Sequence, residues 1–182
     1  MRKLKEIMLP ALSLFLVCLC AAAALALTNA VTKSAIAKQD QKKLNETMVK
    51  IIETDSYKAA TLSHNGVDYT YYTALSEQNE TMGYIFLTAA TGYNGDVSVM
   101  VGINPDGTVK VVEILDASGE TPSLGQRVSE SSFLEQFSNK TAPFDTQVDT
   151  ISGATYSSRA VVYAVNTACE LYAQLTGGEG NE

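Results

Sequence analysis

Histidine and cysteine are scarce in this chain of 182 residues, which has one histidine, His64, and three cysteines, Cys18, Cys20 and Cys169. Neither a His-x-x-x-His nor a Cys-x-x-Cys pattern occurs, so the sequence gives little support for a metal site. A Ser-His-Asp hydrolase is equally unsupported, because there is no Gly-x-Ser-x-Gly elbow. Cys18 and Cys20 lie in an apolar run, which leaves Cys169 alone. The sequence therefore predicts no disulfide framework and a small core role for Cys169.

Basic residues are also few, 13 against 20 acidic ones, for a net charge of −7. Removing residues 1–27, which hold Arg2, Lys3, Lys5 and Glu6, leaves 10 basic and 19 acidic residues, a net charge of about −9. Such a domain repels phosphate backbones, which argues against nucleic acid as a partner. The glycine-rich loops that bind nucleotide phosphates are absent as well.

What is present is one long apolar run over residues 7–27, 21 residues without a charge. At about 1.5 Å per residue it is long enough to cross a hydrocarbon core of roughly 30 Å. Basic residues precede the run, and the next one after it is Lys33. The positive-inside rule therefore predicts a single-pass protein of the cell (inner) membrane, with the lipid bilayer around this helix, the N-terminus in the cytoplasm and the C-terminal domain outside.

A cleaved signal peptide is the alternative, because Ala24-Leu25-Ala26 resembles a cleavage site. We favour an anchor, since the run is longer than the 7–15 apolar residues usual in signal peptides. Lipoprotein processing is disfavoured, because the residues before the two cysteines, Val17 and Leu19, are not small.

The expected organisation has four parts. Residues 1–28 form a cytoplasmic stub and transmembrane anchor. Residues 29–60 form a helical stalk, because residues 29–52 lack Gly and Pro and are rich in helix formers. Residues 61–176 form the extracytoplasmic domain. The Gly-rich residues 177–182 form a flexible tail.

The extracytoplasmic part is predicted to contain four strands, followed by a short helix over 129–137 and a long one over 156–175. The long helix carries an apolar stripe at helical spacing, and residues 116–127 form a loop. Because hairpin-connected strands are flanked by helices, the predicted fold class is α+β with a mostly antiparallel sheet and packed helices. The strands are expected at residues 67–75, 83–90, 97–103 and 108–115, with a Pro-Asp-Gly turn over 104–107.

The segment before the long helix, residues 149–159, reads Asp-Thr-Ile-Ser-Gly-Ala-Thr-Tyr-Ser-Ser-Arg. Hydroxyl groups and a glycine gather at a helix N-terminus, where free N–H groups and the helix dipole favour an anion. Ordinary capping by Ser or Thr is the alternative explanation of the same pattern.

This segment resembles the covalent FMN attachment site of the flavin-carrying G subunits of Rnf-type ion-translocating oxidoreductases, and the C subunit of the sodium-translocating NADH:quinone reductase is similar. Three further stretches agree in the same order: Thr-Gly-Tyr-Asn-Gly at 91–95, Val-Gly-Ile-Asn-Pro-Asp-Gly at 101–107 and Glu-Thr-Pro-Ser-Leu-Gly at 120–125. Ser123 departs from the family, which usually has Gly there.

The resemblance implies that Thr155 is esterified to the phosphate of FMN and that a flavin transferase reads Asp149, Ser152, Gly153 and Ala154. It also implies a flavin site lined by residues of two loops, with two serines placed where they could donate to the phosphate. The loop residues are Tyr93, Gly95, Glu120, Thr121, Leu124 and Gly125, and the serines are Ser157 and Ser158. Each loop has a plainer alternative, namely an ordinary turn or an Ω-like loop.

The implied function is that of a membrane-anchored electron carrier with covalent FMN, whose partners are the other membrane subunits of an Rnf-type complex. The chain would then be a subunit of a redox-driven ion translocase rather than a complete catalyst. Two alternatives remain at this point: a stand-alone FMN-binding redox protein, and an anchored pilin-like structural protein without a cofactor.

Overall fold

The computed structural model describes residues 2–54 and 56–178 of the chain. Contacts divide it into two compact units, Met1–Lys43 and Leu44–Glu182. The first unit is helical over its described residues, which belong to helix α1, Arg2–Ile51. Within it, Ala11–Asn29 has a mean hydropathy of 2.5 and no buried residue, as a membrane-spanning segment requires.

The second unit contains a five-stranded sheet with every neighbouring pair antiparallel. The strands follow one another along the chain and in space, so the sheet is a meander. They are β1 (Ser56–His64), β2 (Val67–Leu75), β3 (Thr81–Thr91), β4 (Asp96–Ile103) and β5 (Val109–Asp116).

Alternation along β4 shows why the sheet has two covered faces. Val97, Val99, Val101 and Ile103 point to one face and belong to the larger core, whereas Met100 points to the other face and belongs to the smaller one. The larger core contains the apolar side of helix α3 (Thr155–Gly178), and the smaller one contains Met48, Ile51 and Ile52 at the end of α1.

Between the sheet and α3 the chain forms two 3-10 segments, Gly125–Ser129 and Glu135–Phe137, on either side of α2 (Ser131–Leu134). The single short helix expected over 129–137 is therefore divided, because Glu130 has extended backbone angles. The first of these 3-10 segments, Gly125–Ser129, begins inside the loop expected over 116–127.

The α+β prediction with a mostly antiparallel sheet and packed helices is confirmed. The four expected strands correspond to β2 to β5, and the hairpin turn forms as expected, with Gly107 at φ 87°. In the final helix, Val161, Ala164, Val165 and Ala168 are all buried against the sheet.

Two expected boundaries differ from the structure. The helix that enters the stalk ends at Ile51, and residues 56–60 of the expected stalk belong to β1, because that strand pairs with β2 over nine residues. At the other end, α3 continues through Gly178, where glycines commonly end a helix. The rest of the expected tail, residues 179–182, lies outside the described residues.

His64 and Cys169 both contact neighbouring residues of the second unit. His64 ends β1 beside the Asn65-Gly66 turn, and its ring nitrogens lie 3.0 Å from Gln174 Oε1 and 3.2 Å from Glu170 Oε2. Cys169 packs at the edge of the larger core, and burial raises the pKa of its thiol to about 11. Cys169 therefore packs against the core, as the sequence predicts, and its thiol is protonated at neutral pH.

Candidate functional site

A tight turn presents Thr155 as the first residue of α3. The Ala154 N–H donates to the Ile151 carbonyl oxygen over 2.9 Å, and Gly153 has φ 80°, which together define a type II turn. A Cβ atom on Gly153 would also lie 3.0 Å from Leu124 Cδ1. Glycine is thus favoured at 153 both by its backbone angle and by the close packing of Leu124.

The Thr155 side chain is exposed, and within the described part of the chain its hydroxyl has no hydrogen-bond partner. It lies at the start of a helix of 24 residues, where backbone N–H groups are not used by the helix itself. The hydroxyl is thus open to an incoming group, and the helix end favours that group if it is anionic.

The two serines that follow are placed differently. Ser157 donates its hydroxyl proton to Glu120 Oε2 over 2.6 Å, and Ser158 donates to the Ala154 carbonyl oxygen over 2.9 Å while accepting from the Ile151 N–H. Both serines are buried. In this structure both hydroxyl protons have acceptors inside the protein, and phosphate donation by these serines stays a prediction.

Glu120 connects the loop at 91–95 to the start of helix α3 through its buried side chain. It is only 1% exposed, and it accepts hydrogen bonds from the Ser157 hydroxyl and from the Asn94 N–H, the latter over 3.3 Å to Oε1. A Cβ atom on Gly92 would overlap Glu120 Oε1, and one on Gly125 would lie 2.6 Å from Oε2. The carboxylate therefore fits between two glycines beneath the surface, where it connects both loops to α3.

The two loops also touch directly. Asn94 Nδ2 donates to the Gly119 carbonyl oxygen over 2.8 Å, and a Cβ atom on Gly95 would lie 3.3 Å from Gly119 Cα. The segments that the sequence analysis selected, 91–95, 120–125 and the start of α3, are thus neighbours in the folded domain.

Two exposed aromatic side chains, Tyr93 and Tyr156, lie next to each other at the site, and we call this pair the aromatic patch. Tyr93 and Tyr156 are each 70% exposed, and their ring centroids are 6.3 Å apart. Leu124 is 39% exposed and lies against Gly153. The sequence analysis missed Tyr156, although its position outside the apolar stripe of α3, directly after Thr155, is a signal for it.

The remaining residues of the expected recognition sequence are placed in the turn region. Asp149 and Ser152 are exposed, as is Thr121 on the neighbouring loop, whereas Ala154 is buried. The Gln136 side chain fixes the Asp149 backbone, accepting from its N–H over 2.8 Å and donating to its carbonyl oxygen over 3.3 Å. The Asp149 carboxylate is exposed to solvent and has no partner in the described residues.

Ser123 occupies a backbone conformation that suits glycine, with φ 61°. We expect Ser123→Gly to raise the free energy of unfolding by about 0.5–1 kcal/mol, because relief of the left-handed strain exceeds the entropy that glycine adds to the unfolded chain. Denaturant unfolding of both chains measures this difference. A Thr121→Gly chain, changed at a position without positive φ, is the control and should lose stability instead.

Two family models match the chain. The model described as FMN-binding domain covers residues 92–170, and the one described as RnfG N-terminal region covers residues 1–51. The chain is 30% identical over 155 residues to the G subunit of the proton-translocating ferredoxin:NAD(+) oxidoreductase complex of Clostridium ljungdahlii, covering 80% of this chain and 81% of that one. The chain belongs to the family of Rnf complex G subunits.

The chain is also similar to a second G subunit and to a solved structure. The G subunit of the Na(+)-translocating ferredoxin:NAD(+) oxidoreductase complex of Acetobacterium woodii is 30% identical over 191 residues, with 91% of each chain covered. Among solved structures, NqrC of Shewanella oneidensis matches with a TM-score of 0.48 and 19% identity, over 61% of this chain and 63% of that one.

Membership of the Rnf G-subunit family assigns roles to the two units. The segment Ala11–Asn29 is long and apolar enough to cross a membrane, and together with the relatives above it indicates a membrane-anchored protein. The second unit contains an FMN-binding domain. Of the relatives above, one is named for proton translocation and the other for Na+ translocation.

The residues present fit FMN. Its phosphate carries negative charge, which suits the free N–H groups and the unpartnered hydroxyl at the start of α3. Its isoalloxazine ring is flat and largely apolar, which suits the exposed rings of Tyr93 and Tyr156. Neither Glu120 nor the two serines contribute to that exposed surface, so their contribution is to hold its shape.

Proposed function

We propose that this chain is an electron carrier that holds FMN covalently, through a phosphoester to Thr155 Oγ1, within an Rnf-type membrane complex. The observation that carries the proposal is the exposed, unpartnered Thr155 hydroxyl at the N-terminus of α3, inside an FMN-binding domain and next to the aromatic patch. The family supports the redox hypotheses over the pilin-like alternative.

Forming the ester requires an activated flavin nucleotide, because condensation of FMN with an alcohol in water is unfavourable. With a flavin dinucleotide as donor, the Thr155 Oγ1–phosphorus bond forms and the phosphoanhydride bond breaks. A nucleoside monophosphate leaves, and the hydroxyl proton passes to a base of the transferase. The donor, the transferase and its base come from outside this chain.

A flavin transferase would recognise the exposed part of the turn. Asp149, with its free carboxylate and fixed backbone, and Ser152 are available from solvent, while Gly153 and Ala154 shape the turn that presents the hydroxyl. The buried serines have no part in this contact.

Once attached, FMN supplies reversible electron transfer, and the chain's residues place it. The aromatic patch receives the ring, and the helix start holds the phosphate. The described part of the site contains no histidine, and its buried Glu120 side chain is engaged by two hydrogen bonds inside the protein. This arrangement suits a carrier that exchanges electrons with neighbouring redox subunits.

The carrier role predicts a specific activity pattern. The purified full chain, loaded with FMN and kept in detergent, should be reduced by an artificial donor such as dithionite and reoxidised by an artificial acceptor, yet oxidise NADH no faster than the flavin-free chain does. Absorbance of the flavin and of NADH measures both. Rapid NADH oxidation that depends on the attached flavin would contradict the carrier role.

The orientation is also part of the proposal. Arg2, Lys3 and Lys5 precede the membrane segment, so the positive-inside rule places the N-terminus in the cytoplasm and the FMN-binding domain outside. Protease added to sealed right-side-out vesicles should digest the domain from outside, whereas inverted vesicles should protect it. The opposite pattern would reverse the orientation.

A further inference from the structure

Arg159 is an exposed cation one helical turn after Thr155, and the function proposed above does not use it. It has no hydrogen bond or ion pair within the described residues. Arg127, the other arginine of the second unit, shows the contrast. It forms a bidentate ion pair with Glu130, with nitrogen–oxygen distances of 2.9 and 3.2 Å. The guanidinium of Arg159 is therefore available for a ligand.

Helix geometry directs Arg159 towards Thr155. Residues i and i+4 of a helix share a face, with Cβ atoms about 5–6 Å apart. Each Cα–Cβ bond tilts towards the helix N-terminus, so a long side chain at position 159 covers the turn that contains position 155. The exposure of both residues, opposite the stripe that packs on the sheet, agrees with this shared face.

The chemistry of the ester complements this placement. A phosphate esterified to both Thr155 and the ribityl chain keeps one negative charge and two free oxygens. A guanidinium offers paired N–H donors at the spacing of two such oxygens, whereas a lysine ammonium offers a point charge. An anion that precedes a cation by four residues is also the favourable order for the helix dipole.

The surrounding charge makes a cation important here. The chain after residue 27 has only 10 basic residues against 19 acidic ones, and the exposed Asp149 carboxylate lies in the segment that leads to Thr155. The helix N-terminus alone supplies partial charge. Arg159 supplies a full positive charge one turn away.

We propose that the Arg159 guanidinium pairs with the two free oxygens of the FMN phosphodiester on Thr155, and that Arg159 is a positioning residue for the flavin. This inference rests on the proposed function. The pair fixes the phosphate end of an otherwise flexible ribityl tether against the first turn of α3. It thereby limits how far the ring moves from the aromatic patch.

The test compares loaded and unloaded forms of four full chains in detergent: the unchanged chain, Arg159→Gln, Arg159→Lys and the control Lys110→Gln, which removes an exposed cation from β5. Unloaded forms are made without a flavin transferase. Flavin occupancy of Thr155 is measured first, by peptide mass. Amide hydrogen exchange in the first two turns of α3 and the phosphorus NMR signal of the loaded chains are then compared.

Loading should slow exchange in these turns about 3-fold in the unchanged and Lys110→Gln chains. The slowing should be lost in Arg159→Gln and partly kept in Arg159→Lys, and the phosphorus signal should shift only in the two Arg159 variants. Equal slowing in loaded Arg159→Gln would overturn the inference, even if that variant loads poorly, since Arg159 would then act only in transferase recognition. If the unchanged chain carries no flavin on Thr155, the proposed function and this inference both fail.

Discussion

Thr155→Val is expected to abolish covalent flavin attachment, with flavin content falling to the level of a chain never exposed to a transferase. Valine matches threonine in size but has no hydroxyl to form the ester. The fold should persist, because the Thr155 side chain is exposed and makes no hydrogen bond within the described residues. Absorbance of the denatured, dialysed chain measures flavin content, and circular dichroism verifies the fold.

The matched control is Thr150→Val, which removes another exposed threonine hydroxyl from the same segment and should leave attachment unchanged. Thr155→Ser keeps a hydroxyl and should retain part of the loading. In the complete complex, Thr155→Val should reduce ferredoxin- or NADH-linked electron transfer to background. Full activity of that complex, with no flavin on this chain, would refute the carrier role.

Glu120→Ala should cause the largest loss of stability among single substitutions at the site, about 3–5 kcal/mol in the free energy of unfolding. The change leaves the buried Ser157 hydroxyl and the Asn94 N–H without their acceptor and empties the space between Gly92 and Gly125. Glu120→Gln should lower the free energy of unfolding by about 1–3 kcal/mol, because the glutamine NH2 group would lie opposite one of the two hydrogen-bond donors. Denaturant unfolding of the full chain measures both.

The control is Glu130→Ala, which removes an exposed carboxylate from its pair with Arg127 and should change stability little. Flavin loading should fall with stability in Glu120→Ala, because the buried carboxylate holds both loops against the start of α3. An unchanged unfolding midpoint in Glu120→Ala would show that the Glu120 side chain does not hold the two loops against α3.

The strands that the sequence predicts well are those with a strong local pattern. The apolar alternation of β4 and the Pro-Asp-Gly turn after it are local properties, so both are visible without the fold. The strand β1 was missed because Ser-Tyr-Lys-Ala-Ala-Thr-Leu-Ser-His is weak in β-branched residues. It forms an edge strand because nine residues pair with β2.

The candidate site also combines features that the sequence predicts with features that depend on the folded structure. The turn that presents Thr155 follows from a short motif, and the structure explains its glycine by the positive φ of Gly153. The burial of Glu120 could not be predicted, because that residue lies in a polar loop and becomes enclosed only when distant Gly92 and Ser157 pack around it. The same contact removes the Ser157 hydroxyl from the exposed surface.

Peptide mass spectrometry of the chain purified from its native membranes tests the central claim most directly. Trypsin should release residues 141–159 as one peptide, cut after Lys140 and Arg159. The account predicts that this peptide carries the mass of FMN less one water, with fragmentation placing the addition on Thr155. An unmodified peptide from an active complex, or an addition on any other residue, would contradict it.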